Sequence, residues 1–478
     1  MRILSTPTPL LALALCLAGC PESTPGAAPD AGGTPAATTS AAAAPSGSAA
    51  AAPTASSRVP PPPDANALCK TEGEKTWATG ATRVTGLTTK RMADGRLAVG
   101  LAVGGTPHVL VFAASGEGEL LKVAIPASST LAKPVPAAEG TRTILRVTPY
   151  AVEGNVARAY VDFKDELKDK KRRVICGPAD KEEGWPKFDG TPLLDRDPKP
   201  TGEERAQLFK TVEGGDEGYH ELRDCRTFID IKKNETYIIG SELRALDAGG
   251  DKTTYKASLV VATAPKKHEM HLRDIELKGD PPQDTAFDMP VTHGVKDGSY
   301  LLMSRFGGSL VAAFLKADKS PLTKFTTYSG FPTRPEANRD DEGMTMMVTA
   351  VSVGKDFELR GMRIGPKNEL PKSMVKVDTG DADATTATDP MFLRDAKNRR
   401  WVSYIAGVRG KGQLKLIGID EAFKPIGKAH TVTNEAEGAS EPRLVPLDDG
   451  RIQLVYIVDR PGGSGELRSE ILRCDDPR

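Results

Sequence analysis

One turn recurs along this chain, each time feeding a short apolar run, and no other feature restricts the possible folds as much. Ala93-Asp94-Gly95-Arg96-Leu97-Ala98-Val99, Lys296-Asp297-Gly298-Ser299-Tyr300-Leu301-Leu302 and Asp448-Asp449-Gly450-Arg451-Ile452-Gln453-Leu454-Val455 all place Asp-Gly ahead of a strand-like segment. Asp-Gly supplies the positive φ that a tight hairpin needs. A fourth copy, Asp395-Ala396-Lys397-Asn398-Arg399-Arg400-Trp401-Val402, puts Asn398 in the glycine position, where asparagine tolerates the same φ at some cost. Helical periodicity is hard to find beyond Asn66, while short β-rich runs bounded by Gly, Asp, Asn and Pro continue to the end. The reading is all-β.

The spacing carries the argument further. Asp449 minus Asp297 is 152, three periods of about 51 residues, and self-similarity near 40–50 residues marks propeller blades. The units between begin near Met344 and Arg400. Thr388-Asp389-Pro390-Met391-Phe392-Leu393 and Ser440-Glu441-Pro442-Arg443-Leu444-Val445 repeat a hydroxyl, an acid and a proline 52 residues apart. Proline there is expected to begin an innermost strand, where a missing N–H is tolerated. Further strands are expected around 143–147, 157–163, 235–240 and 258–263. The chain from about 66 to 478 resembles bacterial β-propeller proteins in general. The resemblance implies a single propeller of seven blades with an irregular insertion near 177–221; two consecutive β-sandwiches are the structural alternative.

Six cysteines are encoded. In a closed propeller the last blade adjoins the first, so Cys474 is expected to meet Cys69. Cys176 is then expected to meet Cys225 across the insertion, both pairs as disulfides of an exported protein. Metal ligation is the competing use, and no Cys-x-x-Cys pair supports it. No cofactor or metal site is expected.

The N-terminal segment is read as targeting. Arg2 precedes the apolar run Leu10–Leu17, too short for a permanent bilayer span of about 20 residues. The run ends in Leu17-Ala18-Gly19-Cys20, which resembles the lipobox of bacterial lipoproteins. The resemblance implies removal of residues 1–19, acylation of Cys20 and stable anchoring by two or more chains. Pro21 after the cysteine implies the outer membrane as the place in the cell envelope. From 20 to 65 the chain is nearly all Ala, Pro, Thr, Ser and Gly, with too few large apolar groups to offset ordering entropy, so it reads as a disordered tether.

Charge and aromatic content narrow the partners. Lys+Arg and Asp+Glu are 64 each, so no net field draws the protein to nucleic acid. Aromatic residues are only 5%, few for stacking on sugars. His268-Glu269-Met270-His271 has the wrong spacing for a zinc protease helix. Asp378, Asp381 and Asp383 fit no calcium loop, and Asp195–Asp197 and Asp340–Glu342 fit less well. The stretch 162–173 reads as a solvated hairpin. Lys70-Thr71-Glu72-Gly73-Glu74-Lys75-Thr76-Trp77 distantly resembles the Asp-box turn of sialidase-type propellers, with Glu72 in place of the aspartate. The expected function is non-catalytic: a membrane-anchored monomer binding another protein or an envelope polymer. The alternative is a propeller hydrolase of glycans or esters, with Asp389 and Glu441 as the carboxylates to consider, although a repeated acid is more often a contact between blades.

Overall fold

The computed structural model describes residues 68–475 apart from 79–81, 93, 114–117, 169–170, 181–186, 193–219, 231–234, 248–253, 264–267, 279–286, 295–297, 307, 331–335, 340–344, 366, 368, 381–385, 396, 408–409, 435–436, 448 and 461–463. Cys20, the signal segment and the tether lie outside the described residues. So do Asp195–Asp197, Asp340–Glu342, Asp381 and Asp383.

The strands run in meanders of four. β1 (Cys69–Ala78) is the exception and pairs far along the chain. β2 (Val84–Arg91), β3 (Leu97–Val103), β4 (Thr106–Phe112) and β5 (Gly118–Val123) form one meander; β6 (Gly140–Glu153), β7 (Val156–Leu167), β8 (Lys171–Pro178) and β9 (Lys187–Pro192) form the next. A two-residue parallel pairing, Lys122 with Val156 and Val123 with Ala157, joins β5 to β7. Four-stranded sheets follow. They comprise β10 (His220–Asp230), β11 (Glu235–Asp247), β12 (Thr254–Thr263) and β13 (His268–Lys278); then β14 (Phe287–Gly294), β15 (Tyr300–Phe306), β16 (Ser309–Leu315) and β17 (Thr326–Ser329). The next is β18 (Glu336–Arg339), β19 (Thr345–Val353), β20 (Asp356–Ile364) and β21 (Val375–Lys376), then β22 (Ala387–Arg394), β23 (Arg400–Ala406), β24 (Gln413–Ile419) and β25 (Pro425–Thr431). The last sheet holds β26 (Gly438–Pro446), β27 (Ile452–Asp459) and β28 (Gly465–Cys474), and β1 completes it as the strand outside β28.

The recurrent turn and its apolar run thus mark the passage from first to second strand: β2 to β3, β14 to β15, β22 to β23 and β26 to β27. The second strands β3, β15, β19, β23 and β27 are apolar almost without interruption because both of their faces are covered, whereas β7 and β11 carry several charged residues. In β27, Ile452, Leu454, Tyr456 and Val458 pack with Trp401, Ile405, Leu414 and Leu416 of the preceding sheet. The alternate residues Val455 and Ile457 pack with Leu87, Val99, Leu101 and Leu110 of the first meander. A strand of period two serves two cores at once. Burial declines outward, and in β25 and β21 the side chains are half-buried or exposed.

The same arrangement repeats between β2–β5 and β6–β9, β10–β13 and β14–β17, β14–β17 and β18–β21, and β18–β21 and β22–β25. First strands touch their neighbours as well: β2 with β6, β10 with β14, β14 with β18, β18 with β22, β22 with β26 and β26 with β2.

Two expectations need correction. The segment 177–221 is not irregular throughout, because Lys187–Pro192 is β9, paired antiparallel with β8. Cys176 and Cys474 lie on the third strands β8 and β28, which are covered by β9 and β1. Lys70–Trp77 is no turn but the body of β1, with an irregularity between Thr71 and Gly73. The edge of β28 is left unpaired by its own meander, and pairing with β1 satisfies its backbone groups.

Candidate functional site

The first strands of four sheets carry the same register irregularity, in β14 between Asp288 and Val291; three of them share a backbone conformation as well. Register shifts between Thr388 and Met391, Ser440 and Arg443, and Thr85 and Thr88. The chain passes through positive φ at Asp389 (46°), Glu441 (49°) and Gly86 (70°). Glycine adopts this conformation freely, whereas a side chain pays about 1–2 kcal/mol. The prolines sit inside these bulges rather than at the strand starts, where no ladder N–H is lost.

The two strained acids make the next connection around the molecule. Asp389 Oδ2 accepts the N–H of Glu441 at 3.3 Å. Glu441 in turn accepts the N–H of Leu87 at 2.7 Å and of Gly86 at 3.4 Å. Arg443, buried beside it, donates from Nε and Nη2 to the Leu87 carbonyl at 2.9 and 2.6 Å. The carboxylates that sequence reasoning placed in equivalent positions are therefore acceptors for backbone amides of the neighbouring sheet. Gly86 is confined for a second reason: a Cβ there would lie 3.2 Å from the Arg146 backbone.

Further round, the seam between β6–β9 and β10–β13 is polar. Asp162 accepts from Arg146 Nε at 2.8 Å and from the Thr227 hydroxyl at 2.7 Å, while Arg146 also donates to the Thr227 carbonyl. Asp165 binds Arg142 through two parallel bonds of 2.7 and 2.8 Å. Asp162 and Asp165 are 1% and 0% exposed, so this part of 162–173 is not the solvated hairpin expected. The long side chains of Arg142 and Arg146 reach back from β6 to cover them. The disulfide Cys176–Cys225 crosses the same seam, and Cys69–Cys474 joins β1 to β28 at their paired ends.

The turns between first and second strands can be superposed by their hydrogen bonds. In one, Asp395 N–H donates to Arg399 O and Asn398 N–H to Asp395 O; in the next, Leu447 N–H donates to Arg451 O and Gly450 N–H to Leu447 O. In the β2–β3 turn the equivalent bonds run from Met92 to Arg96 O and from Gly95 to Met92 O. Arg399, Arg451 and Arg96 are thus equivalent, yet they behave differently. Arg399 is buried, held by Asp395 at 2.6 Å, and reaches the Gly450 and Cys474 carbonyls at 2.9 and 2.5 Å. Arg451 and Arg96 turn outward to Asp449 at 2.5 Å and Asp94 at 2.7 Å. These arginines, mostly through backbone and side-chain hydrogen bonds, hold the Asp94 and Asp449 carboxyls below their usual range. Between the last sheet and the first meander lies a cleft of about 440 Å³, whose walls include Arg91, Arg96, Arg451, Gln453, Phe112 and Val445.

Other sequence candidates are dispersed. His268 and His271 both lie in β13, paired with Thr263 and Val260. Asp378 accepts the N–H of Gly380 at 2.9 Å, a local turn. Among the described residues no group of three or more His, Cys, Asp or Glu side chains is disposed to hold a metal ion. Sequence reasoning missed Asp395 and Arg399 as a buried pair, because in a turn full of polar residues nothing distinguishes the two that point inward.

Successive four-stranded antiparallel sheets, packed face to face with neighbouring first strands in contact, define a propeller-like all-β protein. No family model and no curated protein matches the chain. Among solved structures it is similar to a protein of unknown function from Dyadobacter fermentans, at 10% identity and a TM-score of 0.41, covering 85% of this chain and 99% of that one. It is also similar to the Dos1 propeller, at 10% identity and a TM-score of 0.39 over 84% of this chain and 95% of that one. The polysaccharide lyase Uly1 is similar at 10% identity and a TM-score of 0.39, over 82% and 90%.

Proposed function

We propose that the chain is a lipid-anchored protein of the cell envelope whose folded part is a closed, seven-bladed propeller that binds a protein or an envelope polymer without catalysing a reaction. The observation that carries the non-catalytic reading is the engagement of Asp389 and Glu441. A hydrolase would need paired carboxylates available to substrate, about 5–10 Å apart in a glycosidase. These two are instead joints between first strands.

Ring closure is supported by three connections across one seam: β1 completing the last sheet, Glu441 and Arg443 gripping Leu87, and the shared apolar core of β27 and β3. The blades are then β2–β5, β6–β9, β10–β13, β14–β17, β18–β21, β22–β25 and β26–β28 with β1.

The lipid anchor rests on Leu17-Ala18-Gly19-Cys20. Intact mass and fractionation of the native protein and a Cys20→Ala variant test it. The expected result is loss of residues 1–19 with added acyl mass, and release of the variant from membranes. A native protein that is soluble and unacylated would overturn the anchor. Crosslinking in cells should then recover a defined partner, and turnover of glycan or ester substrates that survives stringent purification would overturn the non-catalytic reading.

A further inference from the structure

The seam between the last sheet and the first meander differs from its neighbour by the loss of a plug. In the preceding seam Asp395 draws Arg399 inward, Trp401 Nε1 donates to the same carboxylate at 3.0 Å, and the guanidinium fills the space up to the Gly450 carbonyl. One sheet further on, the turn bonds put Leu447 where Asp395 stands and Gly95 where Gly450 stands; Gln453, two residues after the turn arginine, takes the place of Trp401. With no acid to hold it inward, Arg451 donates from Nε to Asp449 and from Nη1 to Glu72 at 3.4 Å, both on the outside. The cleft of about 440 Å³ opens at the place Arg399 occupies in the other seam. That volume lies in the range of small-molecule pockets.

Its lining selects a ligand. Leu97, Phe112, Val445 and Ile471 give an apolar floor, and among the described lining residues Arg91, Arg96 and Arg451 stand beside two carboxylates, Asp94 and Asp449, with Glu72 reaching Arg451 from outside the cleft. Both carboxylates are already paired. A guanidinium has five N–H donors; Asp94 takes the Nε side of Arg96, and among the described residues Nη1 of Arg96 and Nη2 of Arg451 make no hydrogen bond. Arg91 is fixed by its bond to the Pro446 carbonyl at 3.2 Å. Guanidinium groups held on one edge and open on another suit bidentate contact with an oxyanion. Among the described residues, a cation entering the cleft would meet three guanidinium groups and two carboxylates already paired to them.

We propose that this cleft binds a small organic oxyanion, a carboxylate or phosphate monoester carried on an apolar body. The body lies on Phe112 and Val445 and the oxyanion meets Arg96 and Arg451. The site is independent of acylation at Cys20, so failure of the anchor leaves it standing.

The test is calorimetric titration of the full-length protein in detergent with phenyl phosphate, benzoate, benzyl alcohol and benzylamine. Binding of one or both anions is expected, their ratio separating phosphate from carboxylate, with no binding of the alcohol or the amine. Arg96→Ala, a change on an exposed turn, should weaken the anion by about tenfold or more, the worth of a charge-assisted hydrogen bond. Leu447→Asp rebuilds the plug by giving Arg451 the acid that Arg399 has, and should abolish binding while thermal unfolding stays cooperative. Two results overturn the proposal: no anion bound at millimolar concentration, or benzylamine bound as tightly as benzoate. Should Leu447→Asp fail to fold, undiminished anion binding by Arg96→Ala has the same force.

Discussion

Glu441 accepts the backbone N–H of Leu87 at 2.7 Å although 354 residues separate them. Glu441 sits in a strained conformation to do so, and its own N–H is held by Asp389. Glu441→Ala should lower stability by about 1–3 kcal/mol, since the amides of Gly86 and Leu87 lose their acceptor in a half-buried place. Glu441→Gln, which keeps one acceptor oxygen, should cost less. Denaturant unfolding of both variants checks the order.

The two disulfides should differ in worth. Cys69–Cys474 closes a separation of 405 residues and Cys176–Cys225 one of 49. On chain-entropy grounds, replacing the first pair with serine should cost about 2 kcal/mol more than replacing the second. Peptide mapping without reductant verifies the linkages, and paired denaturation curves measure the difference. Equal losses would mean that the entropic account fails here.

Buried acids between β6 and β7 are expected to be the most sensitive positions in the second meander. Asp165→Ala leaves the Arg142 guanidinium, itself 9% exposed, without its carboxylate. Breaking such a pair from one side costs about 3–5 kcal/mol. Replacement of Arg158, whose side chain is 44% exposed and whose ion pairs are 3.7 Å long, should cost under about 1 kcal/mol.

Within the plugged seam the acid matters more than the base. Asp395 accepts from the Lys397 and Arg399 backbones, from Arg399 Nε and from Trp401 Nε1. Asp395→Ala orphans all four donors and strands a buried cation, which should cost about 3–5 kcal/mol. Arg399→Ala leaves Asp395 three N–H partners and should be the milder change. A larger effect for Arg399→Ala in thermal unfolding would contradict the order of these contacts.

Burial of His108 on β4 holds its pKa below the ordinary 6.5. The folded state therefore takes up this proton later than the unfolded chain as pH falls. The stability it contributes is complete above about pH 6.5 and is lost progressively below it, down to the folded pKa. His108→Gln should flatten the stability profile across that window, as measured by denaturation at a series of pH values.

Much of the fold was legible along the chain. The Asp-Gly turns and the apolar runs after them became first-to-second strand connections, because turn chemistry and period-two burial act within a few residues. The equivalence of Asp389 and Glu441 was also visible, since the same bulge recurs with the same Ser/Thr-acid-Pro spelling. β9 was hidden in a stretch rich in Gly, Pro and charge, as Lys187-Phe188-Asp189-Gly190-Thr191-Pro192 has little strand character of its own and takes its conformation from β8. Asp162 and Asp165 looked solvated for a related reason. Their partners Arg142 and Arg146 belong to another strand, and nothing within the charged run indicates that it will be covered.

By itself the sequence determined most of the elements: an all-β chain, the recurrent places where it turns, and the second strands that are apolar on both faces. These follow from local propensity and periodicity, which need no knowledge of what lies across the sheet. Only the tertiary structure decided which acid met which amide, which arginine filled its seam and which left it open. Arg399 and Arg451 occupy the same turn position, and their different orientations depend on whether Asp395 or Leu447 stands four residues before them and on Glu72, which β1 brings alongside from the far end of the chain. A side chain's direction is set by the sum of charges and volumes around it, and most of those neighbours are hundreds of residues away.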